Sequence, residues 1–257
     1  MRKAFGAYTG AILFLLYAPI VVMVAFSFNE SKYLRWTGFT LDWYRSMADN
    51  RDLKSALGTT LILAAVATVA STVLGTTAAL AARGAFRGKR LYTTLVSLPV
   101  MVPDIVLAIS MLSLFRQAHL KPSLLTAIIA HTTFNLSYVA LVVSARLQGM
   151  DRSIELAAQD LGAPPVRAFW KVTFPAIFPG ILSGGLLAFT LSFDDFVITY
   201  FTIGSDDTTL PVLIYSMVRF GVTPEINAIS TVILAVSLVL IVAALKVSKV
   251  PVTGGGR

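Results

Sequence analysis

The sequence has no cysteine and little charge. Only 13% of its 257 residues are Asp, Glu, Lys or Arg, whereas a soluble domain normally carries about 25%. The absence of cysteine excludes disulfides, iron–sulfur clusters and thiolate zinc sites. The chain also lacks a G-x-x-x-x-G-K-[ST] motif, a nucleophile–base set and a His/carboxylate metal spacing. We therefore predict no ATP-binding P-loop, no catalytic residue and no metal site in this chain.

Long apolar runs are what the sequence has instead. It is 56% hydrophobic, with a mean hydropathy of +0.78. A helix of about 20 apolar residues crosses a hydrocarbon core of about 30 Å, and backbone groups in lipid must bond internally. Residues 1–257 are therefore predicted to form one all-α transmembrane domain with six helices. The predicted spans are 7–28, 55–82, 91–115, 123–145, 177–203 and 228–247.

Prolines and caps refine this outline. Pro99, Pro103 and Pro179 lie inside or at the start of spans and predict kinks or breaks, because proline has no N–H to donate. Two short helices are predicted outside the spans. One starts after Thr40, and the other covers Thr209–Arg219, with a proline in its first turn.

The basic balance is explained by membrane topology. The net charge is +8 and the pI about 9.9, and membrane proteins concentrate Lys and Arg on the cytoplasmic side. With the N-terminus inside, thirteen cations are cytoplasmic and eight are external. The cytoplasmic set is Arg2, Lys3, Arg83, Arg87, Lys89, Arg90, Arg146, Arg152, Arg167, Lys171, Lys246, Lys249 and Arg257. Both termini are therefore predicted to be cytoplasmic, with no nucleic-acid partner.

The longest cytoplasmic loop, residues 147–176, contains a predicted helix of about ten residues. Asp151 or Ser153 can cap it, and Gly162 must end it. Its apolar face, at i, i+3, i+4 and i+7, consists of Ile154, Ala157, Ala158 and Leu161. Its other side carries Glu155, Gln159 and Asp160. Leu156 points almost opposite the apolar face, at about 100° per residue, so it is either an incidental exposed leucine or one that a partner covers.

This loop resembles the EAA loop of ABC-importer permeases. The family pattern is Glu-Ala-Ala, three residues and Gly, then a hydrophobic-Pro pair, here Phe174-Pro175. In that family the loop forms a coupling helix that rests in a groove of the ATPase subunit. The resemblance implies ATPase coupling by Glu155, Leu156, Ala157, Ala158, Asp160 and Gly162. The family's glutamate falls on Leu156, so we expect a more apolar contact, with Glu155 serving from one position away.

Other segments resemble the spermidine/putrescine permease group, so that the likeness covers nearly the whole chain. They are Leu98-Pro99 with Pro103-Asp104-Ile105-Val106, Ser192-Phe193-Asp194-Asp195-Phe196-Val197, and Leu210-Pro211 with Pro224-Glu225-x-Asn227-Ala228. The resemblance implies the type I ABC-importer permease fold in the bacterial inner membrane, with polyamine transport by alternating access. It implies a second permease, two ATPase subunits that bind ATP and Mg²⁺, and an external or periplasmic substrate-binding protein. This chain would be no enzyme and would hold no cofactor.

Three carboxylates lie within predicted spans, although Asp at a helix centre costs roughly 2.5–3.5 kcal/mol on insertion scales. We expect Asp104, Asp194 and Asp195 to compensate a polycation in the transport path, and of the three we prefer Asp195 and Asp104 for the contact itself. The rings of Phe193, Phe196 and Tyr200 would add cation–π faces. Alternatively, an Asp caps a broken helix or pairs with a cation on the partner permease. Adjacent aspartates cannot face one spot unless the helix unwinds there.

Two further alternatives concern polar residues and substrate. His131 and Asn135, one turn apart, favour interhelical hydrogen bonding over a ligand site. The intramembrane acids also suit an ABC permease for iron or thiamine, or a secondary carrier that couples to protons. A secondary carrier has no need for the Ala-Ala…Gly helix.

Overall fold

The computed structural model describes residues 2–32, 35–219 and 221–248. Lys249 and Arg257, two of the cations predicted to be cytoplasmic, lie outside these described residues. The helices are α1 (Arg2–Phe26), α2 (Asp42–Asp49), α3 (Arg51–Arg83), α4 (Lys89–Met101), α5 (Asp104–Gln117), α6 (Leu124–Gln148), α7 (Arg152–Asp160), α8 (Pro165–Ala168), a π-helix (Phe169–Thr173), α9 (Phe174–Phe193), α10 (Val197–Thr202), α11 (Leu210–Val218) and α12 (Pro224–Ser248).

Six helical segments account for the membrane spans, as predicted. Five are long and apolar enough to cross a bilayer: Tyr8–Phe26, Arg51–Arg83, Leu124–Gln148, Pro165–Phe193 and Pro224–Ala243. The sixth consists of α4 and α5 together, which pass the same test only as a bent pair. The predicted all-α fold with six spans is therefore confirmed, and two of the spans, the third and the fifth, are interrupted.

The third predicted span, 91–115, is broken in two, which confirms the kink or break predicted at Pro103. The axes of α4 and α5 meet at 109°, and each helix is only about 20 Å long at 1.5 Å per residue. The break falls at Val102 and Pro103, where Val102 is extended (φ −86°, ψ 135°). Proline has no N–H and disfavours helical geometry in the residue before it. Pro99 and Pro179 lie inside α4 and α9 without ending them.

The fifth predicted span, 177–203, is also interrupted. Helix α9 ends at Phe193, and α10 begins four residues later at Val197. The carboxylate of Asp195 accepts hydrogen bonds from the backbone N–H groups of Ile198 (3.3 Å) and Thr199 (2.8 Å). These are donors that a new helix start leaves free. A side chain inside the span therefore caps a second helix and separates Asp194 from Asp195 in direction.

The two predicted short helices are present. Helix α2 begins at Asp42, and the hydroxyl of Thr40 accepts a hydrogen bond from the Asp42 N–H at 3.1 Å. Helix α11 has its proline in the first turn, as expected for a helix start.

The centre of the bundle is formed by α3, α6 and α9, which all pack against one another, with α12 against α9. Gly75 on α3 allows a close approach to α6. A Cβ atom at this position would lie 2.7 Å from the carbonyl oxygen of Leu136 and 2.7 Å from the Cβ of Val139. Small residues at such crossings let membrane helices pack through their backbones.

Replacing Gly75 with alanine is expected to destabilise this contact, because neither the Leu136 carbonyl nor the Val139 Cβ can move independently of α6. Overpacking of this kind costs about 1–3 kcal/mol, so the thermal unfolding midpoint in detergent should fall. At Gly58, on the same helix, a Cβ atom would meet no other atom within 4 Å. Gly58→Ala should leave the midpoint unchanged or raise it, and equal midpoints for the two variants would contradict the packing argument.

Candidate functional site

Helix α7 lies in the loop 147–176 with the ends that its sequence predicted. The Asp151 side chain accepts a hydrogen bond from the Ser153 N–H at 2.8 Å, and this bond lowers the pKa of the Asp151 carboxyl. The cap is therefore present above the unfolded pKa and is lost as pH falls through the folded value. Gly162 has a φ of +87°, and the Ala163 N–H donates to the Ala158 carbonyl at 3.1 Å. This left-handed turn ends the helix.

Glu155 faces the protein, contrary to the expectation that it shares an outer charged side with Gln159 and Asp160. Its Oε2 lies 2.7 Å from Nη1 of Arg83, and the two side chains are 19% and 23% exposed. Arg83 is the last residue of α3, so the span supplies a countercharge that helix periodicity could not reveal. The ion pair ties α7 to the end of α3, and the Glu155 carboxylate is engaged within this chain.

The apolar residues of α7 face outward. Ile154 and Leu156 are each 51% exposed, and Leu161 is 90% exposed. We call these three residues the α7 apolar surface. The remaining predicted coupling residues are exposed, except for the half-buried Ala158: Ala157, Asp160 and Gly162. Leu156 is thus not the only exposed apolar side chain here, since Ile154 and Leu161 on the opposite side of the helix are exposed as well.

Asp195 is held inside the protein at the α9–α10 break. Besides the two N–H groups of α10, its Oδ2 accepts from the Thr199 hydroxyl at 2.9 Å and lies 3.4 Å from Nε2 of His131. Its side chain is 12% exposed. A carboxylate with this many donors is already compensated, which gives Asp195 the capping role that the sequence left as an alternative.

His131 and Asn135 complete this buried network. Nδ1 of His131 lies 3.1 Å from the hydroxyl of Ser192, and Nε2 lies 2.9 Å from that of Thr199. The Asn135 amide donates to the same Ser192 hydroxyl at 2.7 Å. These bonds join α6 to both sides of the α9–α10 break. The prediction of interhelical hydrogen bonding is confirmed.

Asp194 differs from its neighbour Asp195 in exposure and in surroundings. It is exposed, and it lines a cavity of about 490 Å³ bounded by α1, the end of α9, α11 and α12. The other lining residues are Ile20, Met23, Pro211, Ile214, Tyr215, Ser230, Ile233, Leu234 and Ser237. Among these described lining residues, Asp194 is the only charged one and Tyr215 is the only aromatic one. The cavity thus combines one carboxylate with one tyrosine ring in mostly apolar walls.

Tyr215 belongs to a cluster of three rings. Its centroid lies 4.4 Å from that of Phe196 and 6.0 Å from that of Tyr200, and Phe196 and Tyr200 are 5.3 Å apart. The sequence predicted Phe196 and Tyr200 but missed Tyr215, whose only signal was its place on a short helix beside the spans. Phe193 lies elsewhere: it is 4% exposed and stacks on Phe189.

Asp104 is not brought into the Asp194 cavity. It is the first residue of α5, directly after the break at Pro103, and it is exposed. Its position suits a helix start, where a carboxylate is favoured by the helix dipole. The three predicted acids are therefore in three settings: a helix start, a cavity wall and a buried network. Among the described residues, no group of three His, Asp or Glu side chains is placed to hold a metal ion.

Comparison with known proteins gives consistent matches. A model of the family described as binding-protein-dependent transport system inner membrane component matches residues 71–248. The chain is 46% identical over 238 residues to the putrescine transport system permease protein PotI of Escherichia coli strain K12, covering 89% of this chain and 85% of PotI. It is 37% identical over 253 residues to the spermidine/putrescine transport system permease protein PotC of Shigella flexneri, covering 98% and 96%.

Solved structures show the same fold. One similar chain is in the crystal structure of a bacterial ABC transporter involved in the import of the acidic polysaccharide alginate, with a TM-score of 0.70, 16% identity and 98% of each chain covered.

Proposed function

Because the chain belongs to the family of binding-protein-dependent transport system inner membrane components, we propose that it is the permease subunit of an ATP-driven polyamine importer. Alternating access would carry the substrate past the α9–α10 break. The chain would work with a second, different permease, two ATPase subunits and an external substrate-binding protein. ATP and Mg²⁺ would be bound by the ATPase subunits.

The observation that carries the substrate class is the Asp194 carboxylate, exposed in a cavity beside the Phe196–Tyr200–Tyr215 ring cluster. A carboxylate can pair with an ammonium group, and aromatic faces attract cations. The two relatives named for putrescine and for spermidine/putrescine support the same class. Asp104 is a second candidate for a substrate contact on the path. Asp195 would support the path from inside the protein, by holding the α9–α10 break.

The α7 apolar surface supports the ATPase contact. An apolar surface on a loop helix that is tied to a span by an ion pair suits a partner that pushes on the helix. In the proposed orientation both termini and α7 are cytoplasmic, which the basic loop 83–90 favours. Motion of the ATPase subunits would then reach α3 through Arg83 and Glu155.

The test is uptake of labelled putrescine into proteoliposomes that contain the assembled complex, with the binding protein added outside and ATP enclosed. Uptake should require ATP, and it should be unaffected when a proton gradient is collapsed. Enclosing a non-hydrolysable ATP analogue should abolish it. Uptake that persisted without ATP when a proton gradient was imposed would identify a secondary carrier and sink the proposal. Uptake of thiamine or iron but not of putrescine or spermidine would sink the substrate class alone.

A further inference from the structure

A second cavity, of about 530 Å³, lies at the other end of the bundle between α3, α4 and α6, with the start of α7 at its mouth. Its lining includes three cations, Arg83, Lys89 and Arg152, and no acid among the described residues. Arg83 is paired with Glu155. Lys89 and Arg152 have no ion-pair partner in the part of the chain that the structure describes, and Lys89 is half-buried. The mouth therefore carries two uncompensated positive charges.

The cavity is elongated along the helices that line it. On α4 its lining runs from Lys89 to Ser97, and on α6 from Gln148 to Ser137, which correspond to about 12 Å and 16 Å along helices at 1.5 Å per residue. The cations lie at one end. Alanine, valine and leucine side chains form much of the wall, with hydroxyl groups between them. The buried hydroxyl of Ser137 has no hydrogen-bond partner among the described residues.

We infer that this cavity binds an anionic phospholipid of the inner leaflet, with the phosphate between Lys89 and Arg152 and part of the lipid along the wall. The inference rests on the proposed orientation, which places the mouth at the cytoplasmic surface. A half-buried cation needs a counterion to offset its desolvation. Basic pockets between membrane helices on this side suit anionic head groups. A free phosphate ion would neutralise Lys89 and Arg152 but leave the more apolar end of the cavity empty.

The chain offers a matched control for this site. Arg87 and Arg90 lie in the same basic loop as Lys89, are exposed, and do not line the cavity. Lys89→Gln with Arg152→Gln therefore removes as much charge as Arg87→Gln with Arg90→Gln. Both double variants lower the cytoplasmic positive charge equally, so effects on topology and on general attraction to anionic membranes are matched.

The experiment is native mass spectrometry of the purified complex after exchange into detergent with added phosphatidylglycerol or phosphatidylcholine. The unmodified complex and the Arg87/Arg90 variant should retain phosphatidylglycerol in preference to phosphatidylcholine. The Lys89/Arg152 variant should bind it at least about tenfold more weakly, since it loses both charge-assisted contacts to the phosphate.

Three results would overturn the inference. They are no preference for phosphatidylglycerol in the unmodified complex, equal retention by the two double variants, and displacement of the lipid by excess inorganic phosphate, which would assign the site to a free anion. The readout is lipid mass, so it does not depend on transport. A complex that retained the lipid but took up no polyamine would contradict the proposed function and leave the lipid site standing.

Discussion

Asp194→Asn is expected to reduce putrescine uptake by at least about tenfold, because one charge-assisted contact to an ammonium group is worth about 1.5–3 kcal/mol. Asp194 is exposed and lines the cavity that Tyr215 also lines, so the isosteric change removes charge without disturbing packing. Complex assembly and the unfolding midpoint should stay as in the unmodified protein. Uptake is measured in proteoliposomes at matched amounts of assembled complex.

The neighbouring aspartate is the control for this prediction. Asp195→Asn alters a carboxylate that accepts from two backbone N–H groups and the Thr199 hydroxyl beside His131. Replacing one partner of a buried hydrogen-bond network costs about 1–3 kcal/mol, so this variant should lower the unfolding midpoint. Normal uptake by Asp194→Asn would remove Asp194 from the transport path. An equal loss of stability in both variants would do so too, because the loss of uptake would then follow from a damaged fold.

Most of the fold follows from the lengths of the apolar segments in the sequence. Six spans, the short helices at Asp42 and Leu210, and the limits of α7 can be placed from hydropathy, caps and glycine. Hydropathy alone does not locate the breaks in the two interrupted spans. A break is stable only where other groups accept or donate the hydrogen bonds that the helix backbone loses there. Pro103 signalled one of them. At the other, the capping partners of Asp195 are on α10 and its neighbour His131 is on α6, so the contact joins residues more than sixty positions apart.

The sequence predicted most of the residues of the candidate site but not how they are arranged. The sequence identified Asp194, Phe196 and Tyr200 because an acid in a span is costly and aromatic rings attract cations. It preferred Asp195 and Asp104 over Asp194 for the substrate contact, since periodicity shows neither the partners that compensate Asp195 nor the cavity that Asp194 lines. Tyr215 was missed because helix α11 is brought to the α9–α10 break only by tertiary folding. The direction of Glu155 was missed for the same reason, since its partner Arg83 is on another helix.

The Arg83–Glu155 ion pair is expected to be required for coupling between ATP hydrolysis and transport. It joins the loop helix α7 to the end of span α3 with the two side chains only 23% and 19% exposed. Removing either partner leaves a charge without compensation, which is more costly in a partly buried site than at the surface. Glu155→Arg and Arg83→Glu should each lower the putrescine transported per ATP hydrolysed by about tenfold, corresponding to a lost contact of about 1.4 kcal/mol.

The charge-exchanged double variant separates a specific contact from general damage. Arg83→Glu combined with Glu155→Arg restores opposite charges across the same 2.7 Å contact, so the transport-to-hydrolysis ratio should recover much of its original value. Arg87→Glu makes the same charge reversal as Arg83→Glu at an exposed position of the adjoining loop and should leave the ratio unaltered. If the exchanged pair performed no better than the single variants, the contact would be a local feature of the fold, and motion of α7 would have to reach the spans through the π-helix and α9 instead.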